Sequence, residues 1–167
     1  MNNVLQDWRV NKNNIKGRVV LLLFRIAHLA TLNKVFFFLL LPHLIFYRLC
    51  IEWVLGVELP YKLSIGKNLI LYHGQATVLN DNVKIGSNCI LRHCITIGNK
   101  ILPDGSFSKC PTIGDNVEIG ANVCIIGDIK IGNNVIVAAG SMVIRDVPDN
   151  CMVAGNPAII KRYFNCP

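Results

Sequence analysis

Two histidines carry the most pointed chemistry in this 167-residue chain. His73 and His93 stand twenty residues apart, each two positions after a leucine, Leu71 and Leu91. Imidazole titrates near neutral pH, so it suits the task of taking a proton from a hydroxyl and returning it to a leaving group. Cys110, in Lys109-Cys110-Pro111, is a second candidate, either as a covalent nucleophile or, as preferred here, as a loop thiol that touches substrate. Arg92, beside His93, is expected at the surface, where it could meet an acidic group of a substrate or simply stand solvated. Cys89, His93 and Cys94 crowd together, but their spacing fits no zinc-ligand pattern and no metal is expected. The seven cysteines form no CxxC pair and leave an odd one over. Polar Asn2, Asn3, Gln6 and Asp7 precede any apolar run, where a secretory signal would be basic then apolar. Free thiols and a cytoplasmic, reducing setting are therefore expected.

What must position these residues is a repeat. From Ile65 onward aliphatic residues recur every six positions, in three phases: Ile65 and Leu71; Leu79, Ile85, Leu91 and Ile97; and Ile113, Ile119, Ile125, Ile131, Val137 and Val143. Four residues after most of them stands another small or aliphatic residue, among them Cys89, Ile129 and Ser141. Neither an amphipathic helix nor a hairpin sheet has a period of six. A β-helix does, each hexapeptide making one short strand and a turn and three of them one eighteen-residue coil. The chain is expected to be mainly β, with Gly and Asn tolerating the turn dihedrals.

Two breaks in register are informative. Leu71 and Leu79 are eight apart, so two residues are added, near Thr77-Val78 on this reading. Ile97 and Ile113 are sixteen apart, so Asn99 to Cys110 form a loop thrown out of the coil. With these insertions counted, His73, His93, Ala121 and Ala139 fall in one column beside the loop. Two histidines then head a smooth groove.

Residues 1–57 have a different texture and are read as a separate helical segment, with the β-helix occupying 58–167. Two apolar helices are expected, one through Val19 to Leu29 and one from Val35 to about Leu55. Arg25 and His28 interrupt the first, and Pro42, His43, Arg48 and Glu52 the second, so neither is a clean membrane span. They are expected to pack in an oligomer or to lie at a membrane interface with basic residues facing anionic headgroups. His28 and His43 are expected to be structural. Only 16% of the chain is charged, against about 25% for ordinary domains, and 52% is hydrophobic, which excludes extensive disorder. Of the net +7, residues 1–57 hold 7 − 2 = +5 and residues 58–167 hold 10 − 8 = +2. The coil half is nearly neutral and has no aromatic-basic motif, which argues against nucleic-acid binding.

The segments LILYHGQATVL (69–79), ILRHCITIGN (90–99), the tract from Lys109 to Ile144 and VPDNCMVAGNPAIIKR (147–162) carry a resemblance. Together they resemble the serine acetyltransferase branch of the hexapeptide-repeat acyltransferases. Within it, the likeness to colanic acid and capsular polysaccharide O-acetyltransferases extends into the N-terminal helices. The resemblance implies a left-handed parallel β-helix with an N-terminal helical segment and a projecting loop. It also implies a homotrimer with active sites in clefts between subunits, and a dimer of trimers could form through the helices. Acetyl-CoA is the implied co-substrate. His73 falls on the family's base, and Glu58 where an aspartate supports that histidine. Ala121 and Ala139, with Gly140 and Ser141, fall along the pantetheine arm, and Asn156, Lys161 and Arg162 near the nucleotide end. Serine acetyltransferases place a histidine where this chain has Cys110. A neutral thiol cannot do that imidazole's work against a carboxylate, which favours a carbohydrate hydroxyl, with His93, Arg92 and Cys110 as acceptor contacts.

The expected function is acetyl transfer from acetyl-CoA to a sugar hydroxyl of a glycan or lipid-linked precursor, by direct attack in a ternary complex. Serine O-acetylation and a non-catalytic trimeric scaffold are the alternatives.

Overall fold

A computed structural model describes residues 3–164. The chain opens with turns and a helix, α1 (Ile15–His28), whose first free N–H groups are met by the Asn14 side chain accepting from Gly17 N at 2.9 Å. Two short helices follow, α2 (Lys34–Leu39) and α3 (Leu41–Tyr47), and then a π-helical turn at Arg48–Val54. The second apolar segment is thus three pieces, where the sequence pattern suggested one helix. The backbone breaks at Leu40 (φ −92°, ψ 4°), and Pro42 sits in the first turn of α3, the place where its missing N–H costs least. His28 Nδ1 pairs with Tyr61 O at 2.8 Å and His43 Nε2 with Leu23 O at 3.0 Å, so both rings tie helix to neighbouring backbone.

The rest is a left-handed parallel β-helix. The first coil holds β1 (Val57–Glu58), β2 (Ser64–Ile65) and β3 (Ile70–Leu71). The second holds β4 (Thr77–Leu79), β5 (Lys84–Ile85) and β6 (Ile90–Leu91). The third holds β7 (Thr96–Gly98), β8 (Thr112–Ile113) and β9 (Glu118–Ile119), and the fourth β10 (Cys124–Ile126), β11 (Lys130–Ile131) and β12 (Ile136–Val137). A fifth turn starts with β13 (Met142–Val143) and ends in an antiparallel hairpin, β14 (Cys151–Gly155) and β15 (Ala158–Tyr163). Stacking makes three faces, β1-β4-β7-β10-β13, β2-β5-β8-β11 and β3-β6-β9-β12-β14-β15. The leading aliphatic of every hexapeptide, from Ile65 to Val143, is buried, and so are the residues four later except half-buried Ile129 and, where the register breaks, exposed Gln75 and Ile101.

Asparagine and glycine have separate roles at the corners. Asn68, Asn88, Asn116, Asn134 and Asn150 all take φ between 55° and 61°. They stack in one column, each side-chain amide donating to the next at 2.8–3.1 Å. The glycines after the leading aliphatics serve closeness of approach instead. A Cβ on Gly86 would lie 2.5 Å from Gly114 O in the next coil.

The open end of the first coil is closed by side chains. Asp7 Oδ1 accepts from Leu69 N at 2.9 Å, Asn11 Nδ2 donates to Leu69 O at 2.8 Å, and Asn14 Nδ2 donates to Leu71 O at 2.6 Å. Arg25 donates to Ile65 O at 2.8 Å and Gly66 O at 2.6 Å, and its Nε lies 2.8 Å from Asp7 Oδ2. These groups satisfy the strand edge that a preceding coil would have paired. Arg25, which interrupts an apolar run in the sequence, is therefore a buried, fully engaged cation.

Candidate functional site

The strand register carries the histidine column. Leu71 pairs with Leu91, Leu91 with Ile119, and Ile119 with Val137, so the residues two later, His73, His93, Ala121 and Ala139, succeed one another at one corner. The His73 and His93 rings meet edge to face with centroids 5.7 Å apart. His73 is exposed, while His93 is half-buried and its Nδ1 is buried without a hydrogen-bond partner among the described residues. Below them the corner is mostly backbone. His93 O accepts from Asn122 N at 3.1 Å, and Ala121 O from Gly140 N at 2.8 Å. Ala139 and Gly140 are exposed, so nothing larger than a methyl group fills the groove there.

The two added residues belong to this corner rather than to Thr77-Val78. Strands up to β3 match the next coil at an offset of twenty, but Val78 and Leu79 match Thr96 and Ile97 at eighteen, so the insertion lies in the turn between Leu71 and Thr77. His73 (φ 67°) and Gly74 (φ 70°) both adopt left-handed backbone there, and Gly74 N closes a tight turn on Tyr72 O at 2.8 Å. The insertion pushes His73 outward at the head of the column. A left-handed histidine costs about 1–2 kcal/mol relative to glycine.

The loop is not beside the histidines within one chain. His93 precedes β7 and the loop leaves after it, so the two occupy opposite edges of the first face. Spacing arithmetic counts coils but does not say which corner an insertion leaves from. The loop itself is a small hairpin, bridged at Ile101–Phe107, with Leu102 O accepting from Gly105 N at 2.9 Å around Pro103-Asp104. Gly105 (φ 81°) completes a type I turn with a bulge. At its base Cys110 Sγ donates to Asn80 Oδ1 at 3.1 Å, and burial pushes the thiol up from its ordinary range.

Asn80 is a residue the sequence reading missed. Together with Glu58, Asp81, Gly98 and Asn99 it lines a cleft of about 790 Å³ between the first face and helices α2 and α3. Its position at the end of β4, under the loop's exit, is the signal that could have found it. Glu52, on the same cleft, has its carboxyl raised by burial, against the lowering effect of Arg48, with Glu58 and Asp81 adding to the rise.

The other candidates separate. Glu58 is exposed on β1 opposite Val78, and among the described residues it makes no hydrogen bond to His73. Arg92 pairs with Glu118 at 3.0 Å and lies over the Tyr72 ring at 5.5 Å. Ser141, expected along the cofactor arm, turns its side chain into the core: Oγ donates to Ala138 O at 2.6 Å and accepts from Gly155 N at 3.3 Å. Its place four residues after Val137 makes it an interior position. Asn156, Lys161 and Arg162 are exposed on the terminal hairpin, with Arg162 over Phe164. No group of three His, Cys, Asp or Glu side chains is arranged to hold a metal among the described residues.

Comparison with known proteins agrees with this geometry. Residues 110–145 match the family described as bacterial transferase hexapeptide (six repeats). Over 104 residues the chain is 39% identical to the Escherichia coli K12 protein named "Putative colanic acid biosynthesis acetyltransferase WcaB", covering 58% of this chain and 62% of that protein. Among solved structures, Neisseria gonorrhoeae serine acetyltransferase superposes with a TM-score of 0.79 at 26% identity, covering 98% of this chain and 65% of that one. Soybean serine acetyltransferase superposes with a TM-score of 0.75 at 30% identity, covering 94% and 66%. The chain thus spans about two thirds or less of the length of these relatives. Repeat tract, coil register and fold together show a hexapeptide-repeat left-handed β-helix, similar in sequence and fold to these acetyltransferases.

Proposed function

We propose that this protein transfers an acetyl group from acetyl-CoA to a sugar hydroxyl of a surface polysaccharide or of its lipid-linked precursor. The observation that carries the reading is the His73–His93 pair at the head of a groove floored by Ala121, Ala139 and Gly140. A groove of small residues leaves room for an extended pantetheine arm beside backbone donors and acceptors. Exposed Lys161 and Arg162 supply positive charge for the phosphates at its far end.

In this mechanism the His73 imidazole takes the hydroxyl proton as the oxygen attacks the thioester carbonyl. The tetrahedral oxyanion forms against the backbone N–H of His73 or, from a neighbouring copy, of the Gly98–Asn99 turn, since Gly74 N already donates to Tyr72 O. Collapse breaks the C–S bond, and the imidazolium returns its proton to the departing CoA thiolate. Glu58 as the carboxylate that orients His73 rests on the family resemblance. His93 contacts the acceptor, its unpartnered Nδ1 offering a hydrogen bond that the protein itself leaves unused. We further propose that the site is completed in a homotrimer. The histidine edge and the hairpin edge of one face are apart within a chain, so a neighbouring copy's hairpin is what brings Cys110 and Asn80 towards His73.

Cys110 favours a sugar over serine. A thiol held neutral by burial and donating to Asn80 gives no cationic partner for an amino-acid carboxylate. Serine acetylation is the second reading, favoured by the solved serine acetyltransferases that share the fold. Thiol release from acetyl-CoA, measured with a panel of sugars and with serine, separates them. Release that depends on a sugar, with an acetylated product identified, supports the proposal. Release that depends on serine alone replaces it, and no acceptor-dependent release assigns the chain a scaffold role.

A further inference from the structure

The helical end exposes apolar surface that the coils do not use. α2, with the sequence Lys-Val-Phe-Phe-Phe-Leu, buries no residue. α3 and the π-helical turn bury only Tyr47 and Ile51. Val35, Phe38, Leu39, Trp53 and Val54 are 69–80% exposed. Val35, Phe38 and Leu39 are spaced to share one helix face, and so are Ile45 and Leu49. A concentration of this kind marks an interaction surface.

Charge indicates what covers it. Arg25 and Asp7 cancel in their buried pair. Arg48 lies 3.5 Å from Glu52, and Arg9, Lys12, Lys16, Arg18 and Lys34 then leave 5 − 0 = +5. A two-fold contact with a second copy would set this charge against itself. A bilayer of anionic lipids complements it.

We propose that α2, α3 and the π-helical turn lie on an anionic lipid surface. Phe38, Leu39 and Trp53 enter the boundary between headgroups and acyl chains, and Lys34 on α2, with the other basic residues of the helical end, draws the protein to lipid phosphates. Helices of six and seven residues are about 9–11 Å long, against a hydrocarbon core of about 30 Å, so they lie along the surface. No described helix is long and apolar enough to cross a membrane.

The test is sedimentation of the full chain with vesicles, read without acetyl-CoA so that it stands apart from the proposed reaction. Vesicles of phosphatidylcholine alone are compared with vesicles containing about one third phosphatidylglycerol. Binding to the anionic vesicles should exceed that to neutral ones by about fivefold or more and collapse near 0.5 M salt. The double variant Phe38→Ser/Trp53→Ser should bind about tenfold less, with the same oligomer size by light scattering. Lys12→Glu/Lys34→Glu, which leaves the apolar face intact, should lose binding to a similar degree. Absence of binding to anionic vesicles would overturn the proposal. A Phe38→Ser/Trp53→Ser protein of altered oligomer size would assign the face to a second copy and overturn it equally.

Discussion

The His73 and His93 rings lie edge to face, 5.7 Å between centroids, on successive coils at one corner of the β-helix. The exposed ring caps a half-buried one whose Nδ1 finds no partner among the described residues. A buried polar nitrogen without a hydrogen bond costs about 1–3 kcal/mol, and in the proposed mechanism the bound acceptor is what pairs it.

His93 can therefore be tested by separating folding from binding. His93→Phe keeps a flat ring and removes the unpaired nitrogen, so its thermal midpoint should equal or exceed that of the wild type. The same variant should raise the acceptor KM about fivefold or more, the loss of one hydrogen bond, with a smaller change in kcat. A large fall in stability with KM unchanged would make His93 a packing residue.

Asp7 closes the first coil through Leu69 N and Arg25. Asp7→Ala leaves a buried guanidinium without its carboxylate and should cost about 3–5 kcal/mol in urea denaturation. Adding Arg25→Met should recover part of the loss, because the stranded charge goes with it. A double variant no more stable than Asp7→Ala would show that the ion pair is not what holds the cap.

The asparagine column predicts a graded series. Asn116→Ala loses two amide hydrogen bonds along the stack and must hold φ 56° with a Cβ, for a cost of about 1–3 kcal/mol. Asn116→Gly loses the same bonds without the backbone strain and should cost less. Equal midpoints for the two variants would show that conformation at this corner is not limiting.

Cys110 is held as a thiol, since burial disfavours its thiolate. Alkylation proceeds through the thiolate, so its pH profile should lie above that of a free cysteine near pH ~8.5. Cys110→Ala should retain transfer, and no acetyl-enzyme should accumulate when acetyl-CoA is mixed without acceptor. Trapping an acetyl group on Cys110 would replace direct attack with a two-step mechanism.

Much of this molecule was legible because the coil repeats. A period of six located the interior from Ile65 to Val143, and counting coils brought His73, His93, Ala121 and Ala139 into one column. What the period could not do was choose among three corners. It placed the two-residue insertion at Thr77-Val78 rather than at His73–Gly74, and the hairpin beside the histidines rather than across the face. Ser141 was legible as interior from the same count, yet its likeness to a cofactor contact pulled the other way. The cap by Asp7, Asn11, Asn14 and Arg25 left no periodic trace, because single polar side chains satisfying a strand edge have no pattern to repeat.

The proposed mechanism turns on His73 taking the acceptor proton. Its most direct test is the steady-state rate of acceptor-dependent acetyl transfer by His73→Ala, beside the KM for acetyl-CoA. The kcat should fall about 10²–10⁴-fold with that KM nearly unchanged. A variant that transfers acetyl at the wild-type rate would contradict it.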